Sequence, residues 1–151
     1  MRQSTALLVG GVILITILAT WWLFRPQTQA GIADAGNASQ VTLGAAVYRD
    51  HCASCHGANL EGQPEWKSRK SDGRLPAPPH DQTGHTWHHS DDILFQITKG
   101  GLKPPLAPAG YQSDMPAFGG ALTDDQIWAV LAYIKSRWPQ DIQVRQSSFN
   151  K

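Results

Sequence analysis

Sulfur is scarce in this chain. Its 151 residues hold two cysteines, Cys52 and Cys55, and two methionines, Met1 and Met115. Two cysteines exclude a multi-disulfide scaffold, and Cys-x-x-Cys is the spacing of metal, redox or cofactor-attachment chemistry rather than of a structural staple. Net charge is also nearly absent: thirteen Lys and Arg against twelve Asp and Glu leave +1. That excludes the strongly basic surface that would argue for nucleic acid, so no such partner is expected. Charge is scarcest at the start, where the first 31 residues carry only Arg2 and Arg25. Nothing in the pattern predicts a sheet.

Residues 5–24, TALLVGGVILITILATWWLF, form the one long uncharged run. As a helix such a run spans about 30 Å, enough to cross a hydrocarbon core. Trp21 and Trp22 stand at its end, where interfacial aromatics belong. Residues 1–24 are therefore expected to be a membrane anchor. A cleaved signal peptide is the alternative, with TQAG at 28–31 as a cleavage site, but the apolar core of such a peptide is usually only about 7–15 residues. Residues 25–40, RPQTQAGIADAGNASQ, have no apolar period and are expected to be a flexible linker.

Three helices are expected beyond it. Residues 41–51 place Val41, Gly44, Ala45 and Tyr48 at spacings of three and four, a small or apolar face. Ser90 is the expected N-cap of a second helix, with Asp91 and Asp92 in its first turn and Gly100-Gly101 at its end. Thr123-x-x-Gln126 is a capping box for a third, whose apolar face is Ile127, Val130, Leu131 and Ile134 and which stops at Pro139. Residues 57–89 and 103–110 read as loop, and the polar tail, residues 140–151, as frayed. The domain at 41–139 is thus all-α, with little apolar helix surface. So thin a protein core implies something large and apolar at its centre.

Cys52-Ala53-Ser54-Cys55-His56 identifies what that is. A structural zinc site would need a second ligand pair, for which only His85, His88 and His89 are at hand. A thioredoxin-like thiol pair would need a strand before it, where this sequence predicts a helix. Covalent haem attachment fits best: two thioether links consume both thiols, and the adjacent histidine is placed to reach the iron.

GAAVYRDHCASCHG at 44–57 and DMPAFGGALTDDQIWAVLAYIKSRWP at 114–139 resemble a class I c-type cytochrome, and the resemblance covers residues 41–139. It implies a small cytochrome c-like domain around one covalent haem c. In that family the first and last helices cross, using a glycine and aromatics, and Gly44, Tyr48 and Tyr133 match those positions. Tyr48 and Trp87 are expected to shield the haem. The second axial ligand is a methionine in the loop before the last helix, and with Met1 the start residue Met115 is the candidate beside His56. A loop proline supplies the carbonyl that orients the axial histidine, which leaves Pro78 and Pro79 open, in a loop that departs from the family's commoner Pro-Asn-Leu pattern. Six-coordinate iron implies an electron carrier rather than an enzyme. A haem enzyme or gas sensor with a labile Met115 is the alternative.

Because haem is attached to c-type cytochromes outside the cytoplasm, the resemblance also implies a single-pass protein of the cytoplasmic membrane with its domain on the periplasmic side. The implied partners are a terminal oxidase or a quinol-oxidising complex. Two segments stay open. Residues 78–92 hold His80, His85, His88 and His89, which are read as a second metal site such as copper, as donors with Trp87 to the haem carboxylates, or as a plain polar loop. Residues 65–74, EWKSRKSDGR, are read as a basic rim that steers an acidic partner or as an ordinary mixed-charge loop.

Overall fold

Helix formation begins earlier than the apolar pattern predicts. The Asn37 side chain accepts the Gln40 N–H at 3.1 Å and starts α1, Ala38–His51. Gln40 then reaches back along the chain: its Nε2 donates to Ile32 O and its Oε1 accepts from Asp34 N, both at 2.8 Å. Ala33 and Gln40 are buried. The later part of the expected linker at 25–40 is therefore folded onto the domain, because one glutamine satisfies the backbone that a flexible segment would leave to water.

The structure, a computed structural model, describes residues 31–150. The expected anchor at 1–24 and the start of the linker lie outside the described residues. Among the described residues no helix is long and apolar enough to cross a membrane. They form five α-helices and no strand: α1, α2 (Ala53–His56), α3 (Asp91–Gly100), α4 (Asp124–Ser136) and α5 (Gln140–Ser147). A 3₁₀ turn, Thr86–His88, precedes α3.

The expected caps are present. Ser90 Oγ accepts from Ile93 N at 3.4 Å to open α3, and Gly101, at φ 79°, closes it. Thr123 and Gln126 form the capping box of α4 at 3.2 and 2.9 Å. α1 packs chiefly against α4, and Gly44 is what lets them meet. A Cβ built on Gly44 falls on the Ala129 carbonyl oxygen and within 2.8 Å of Tyr133 Cβ. The core gathers around this crossing, from Val47 and Tyr48 on α1 and Ile127, Val130, Leu131 and Ile134 on α4 to Leu60, Leu94, Leu122 and Trp138.

The polar tail is not frayed. Residues 140–147 form α5, and Gln146 on it is fully buried. Gln146 Nε2 donates to Asp91 Oδ1 at 2.7 Å and to His89 O at 3.1 Å. Lys135 Nζ lies 2.6 Å from Asp91 Oδ2, with side chains only 12% and 14% exposed. α5 lacks a long apolar stripe: beside Ile142, which packs on the core, it docks through the buried Gln146 amide, a contact hydropathy does not register.

Candidate functional site

The attachment motif grows out of α1. Cys52 caps that helix, and Cys55 N and His56 N both return to Cys52 O, at 3.1 and 2.9 Å, so the motif is one tight helical turn. Both thiols are free, Cys52 partly buried and Cys55 exposed. Burial, then the neighbouring Cys55, push the Cys52 thiol up to about 11. A reactive dithiol needs a lowered thiol pKa, so this turn is poorly built for thiol–disulfide exchange.

His56 is buried, and its Nδ1 lies 2.8 Å from Pro78 O. A carbonyl can only accept, so Nδ1 carries the proton and the Nε2 lone pair is left free for a metal. Burial lowers the His56 pKa, opposed by this hydrogen bond. Of the two candidate prolines, Pro78 therefore supplies the acceptor and Pro79 does not. The loop around Pro79 is clamped from two sides. A Cβ on Gly62 would fall on Pro79 N, and one on Gly84 would fall on Pro79 O. Leu60 O accepts from His80 N at 2.8 Å, and Gln63 N donates to Ala77 O at 2.9 Å.

Tyr48 is 1% exposed. Its hydroxyl donates to Gly57 O at 2.9 Å and approaches His56 O at 3.3 Å, so the ring that fills the helix crossing also braces the end of the motif. Burial, its largest influence, raises the Tyr48 pKa and keeps the phenol protonated. Trp87 is buried too, but its indole N–H goes to Gln82 O at 3.2 Å, and Arg145 lies 4.8 Å from its ring centre. That N–H is spent on the backbone, so the expected role as a donor to a haem carboxylate is not supported.

The histidines at 80–89 do not act as one group. His85 stacks on His89 at 4.8 Å and meets His88 edge to face at 5.4 Å. Among the described residues no three His, Cys, Asp or Glu side chains are grouped to hold a metal ion. His80 stands apart from them. Its ring stacks on His56, centroids 3.9 Å apart and planes inclined by 24°. Burial, then His56, push the His80 pKa well below the ordinary histidine value. By composition His80 belongs with the other three; what sets it apart is that it stands two residues after Pro78, whose carbonyl orients His56.

Met115 is partly buried, in a loop anchored at both ends. Phe118 N and Gly119 N donate to Thr98 O and Lys99 O of α3 at 3.0 and 2.9 Å. On the other side Lys70 Nζ lies 2.5 Å and Arg74 Nε 3.3 Å from the two oxygens of Asp114. Two of the four bases of the rim expected at 65–74 are thus paired with Asp114 at the surface. Of its remaining bases, Lys67 lies over Trp66 and Arg69 over Tyr111.

The donor set fits a covalently attached haem. Two unpaired thiols share one turn with an imidazole whose free nitrogen is fixed by a backbone acceptor. The family model described as cytochrome c matches residues 41–138. A cytochrome c6 from Synechococcus sp. is 30% identical over 134 residues, covering 87% of this chain and 91% of that protein. A second cytochrome c6, from Picosynechococcus sp., is 32% identical over 122 residues, covering 81% of this chain and 87% of its own. The cbb3-type cytochrome c oxidase subunit FixP of Sinorhizobium medicae is 27% identical over 96 residues, 64% of this chain but only 29% of that larger protein. No solved structure matches significantly. The matched span takes in both the attachment turn and the helix pair that crosses above it, and the chain belongs to the cytochrome c family, as an electron-transfer protein with covalently bound haem c.

Proposed function

We propose that this chain is a membrane-tethered, single-haem electron carrier in which Cys52 and Cys55 form the thioether links and His56 and Met115 are the axial ligands. The observation that carries the reading is the 2.8 Å contact of His56 Nδ1 with Pro78 O, which aims the other nitrogen outward from a turn holding two unpaired cysteines. Bound haem c supplies iron that changes between two oxidation states. The chain's residues do the rest. His56 and Met115 would hold that iron and keep oxygen and peroxide from it, and the soft sulfur would favour the reduced state. Tyr48 and the α1–α4 crossing hold the attachment turn rigid, so little rearrangement accompanies a change of charge.

Residues 1–24 anchor the domain at the cytoplasmic membrane and residues 25–30 lead to it, on the periplasmic side where haem attachment occurs. The apolar run at 5–24 supports a single span, while Arg2 and Arg25, flanking it one to one, leave its orientation to the chemistry of haem attachment. The tether raises the effective concentration near membrane partners. These are a terminal oxidase or a quinol-oxidising complex, a reading supported by likeness to a subunit of a cbb3-type oxidase.

The test is carbon monoxide added to the reduced full-length protein. The wild type is expected to keep its Soret band, and Met115→Ala to shift it. A wild type that binds carbon monoxide at once has an open iron, which is the signature of a haem enzyme or gas sensor. A Met115→Ala variant that resists as the wild type does takes Met115 out of the ligand set.

A further inference from the structure

Two restraints act on the His56 ring, and they differ in kind. The hydrogen bond to Pro78 O holds one edge. A carbonyl oxygen accepts over a broad range of directions, so this bond leaves the ring free to swivel. The face is held separately, by His80 at 3.9 Å. His80 is itself fixed on every side. Its Nδ1 lies 2.7 Å from Thr86 Oγ1, its N–H donates to Leu60 O at 2.8 Å, and its carbonyl accepts from Trp138 Nε1 at 2.7 Å. Tyr48 meets its ring edge to face at 6.3 Å. No other ring stacks on His56 among the described residues.

We propose that His80 is a positioning residue for the axial ligand, setting the plane of the His56 imidazole by face-to-face stacking. The inference rests on the ligation proposed above. Outer partners of a ligating histidine fix its orientation and tune the metal. The plane of an axial imidazole against the porphyrin nitrogens sets the splitting of the iron d orbitals, and so the g values of the ferric low-spin state. A ring with one edge pinned and no face support samples a range of planes and spreads those g values.

The experiment is electron paramagnetic resonance of the oxidised full-length protein, in wild type, His80→Phe and His80→Leu, with circular dichroism to confirm the fold. His80→Phe keeps a flat ring and is expected to keep the wild-type g values. His80→Leu is expected to shift the largest g value and broaden the line. A Leu variant with wild-type g values and linewidth overturns the inference, as does an equal shift in Phe and Leu, which would assign the effect to the lost polar atoms. Should His80→Leu fail to fold, Thr86→Val takes its place, since it frees the stacked ring without removing it. Broadening there supports the role, and an unchanged line overturns it. A wild type without a low-spin ferric signal would instead strike at the His56 and Met115 ligation, so the two failures are told apart.

Discussion

Substituting Gly44 by alanine should unfold this protein more easily, although alanine is the better helix former. In isolation the exchange gains about 1 kcal/mol from helix propensity. Here the new methyl group has nowhere to go. It would fall on the Ala129 carbonyl oxygen, 2.5 Å from Ala129 C and 2.8 Å from Tyr133 Cβ. Carbon atoms prefer a separation of about 3.5–4.0 Å, so α1 and α4 must part by roughly 1 Å. Two of those atoms are backbone and no rotamer change relieves them. A gap of that size forfeits a quarter to a half of the attraction at each contact it opens, and overpacking costs about 1–3 kcal/mol or more. With two backbone atoms in the clash the cost lies at the upper end, and against the propensity gain Gly44→Ala is expected to lose about 2 kcal/mol net. The assay is urea unfolding of the full-length protein, followed by the Soret band and far-ultraviolet circular dichroism. Gly100→Ala at the end of α3 is the control, because its Cβ meets nothing nearer than Lys103 Cε at 3.8 Å. It should match the wild type or slightly exceed it. If Gly44→Ala behaves like Gly100→Ala, the close crossing is not what holds these helices.

Two further outcomes follow from the C-terminal helix and the histidine turn. Gln146→Ala removes the donor to Asp91 and to the His89 carbonyl, and a buried acceptor left unpaired costs about 1–3 kcal/mol, read as a lower melting temperature. An unchanged melt would mean that α5 is not docked as described. His85 and His89 both have pKa values lowered from 6.5, chiefly by burial and then by neighbouring histidines. The unfolded chain therefore binds more protons than the folded one just below that value, and stability falls as the pH drops through it. The double variant His85→Asn, His89→Asn should lose less stability between about pH 7 and about pH 5; an identical slope would show that these two rings are not the source.

What the sequence made legible was local or chemical. The attachment motif is five adjacent residues, the cap of α3 and the capping box of α4 span four each, and the glycine of the crossing stands at helical spacing from Tyr48. The start of α1 was not legible because its cap, Asn37, sits in a stretch whose composition resembles a linker, and because the partner that orders it is a glutamine side chain. α5 was missed for a related reason: a helix that docks through Gln146 rather than through an apolar stripe leaves no periodic trace. His80 was grouped with its neighbours by composition, whereas the backbone turns between 80 and 85 and sends one ring to His56 and the others elsewhere.

The partner of His56 is a main-chain oxygen, and that decides which genetic lesions this site can tolerate. Every residue carries a carbonyl, so no substitution at position 78 deletes the acceptor, and drift in side-chain identity is tolerated wherever the loop path survives. Loop length has no such latitude between the two clamps. One residue of extended chain spans about 3.3–3.6 Å, more than the 2.8 Å of the contact itself, so a single insertion or deletion between Ala77 and His80, whose backbones are held by Gln63 and Leu60, would carry the oxygen out of reach. The site is thus written in register rather than in residue type, and descendants of this chain should vary the letters of the 76–80 stretch more freely than their number.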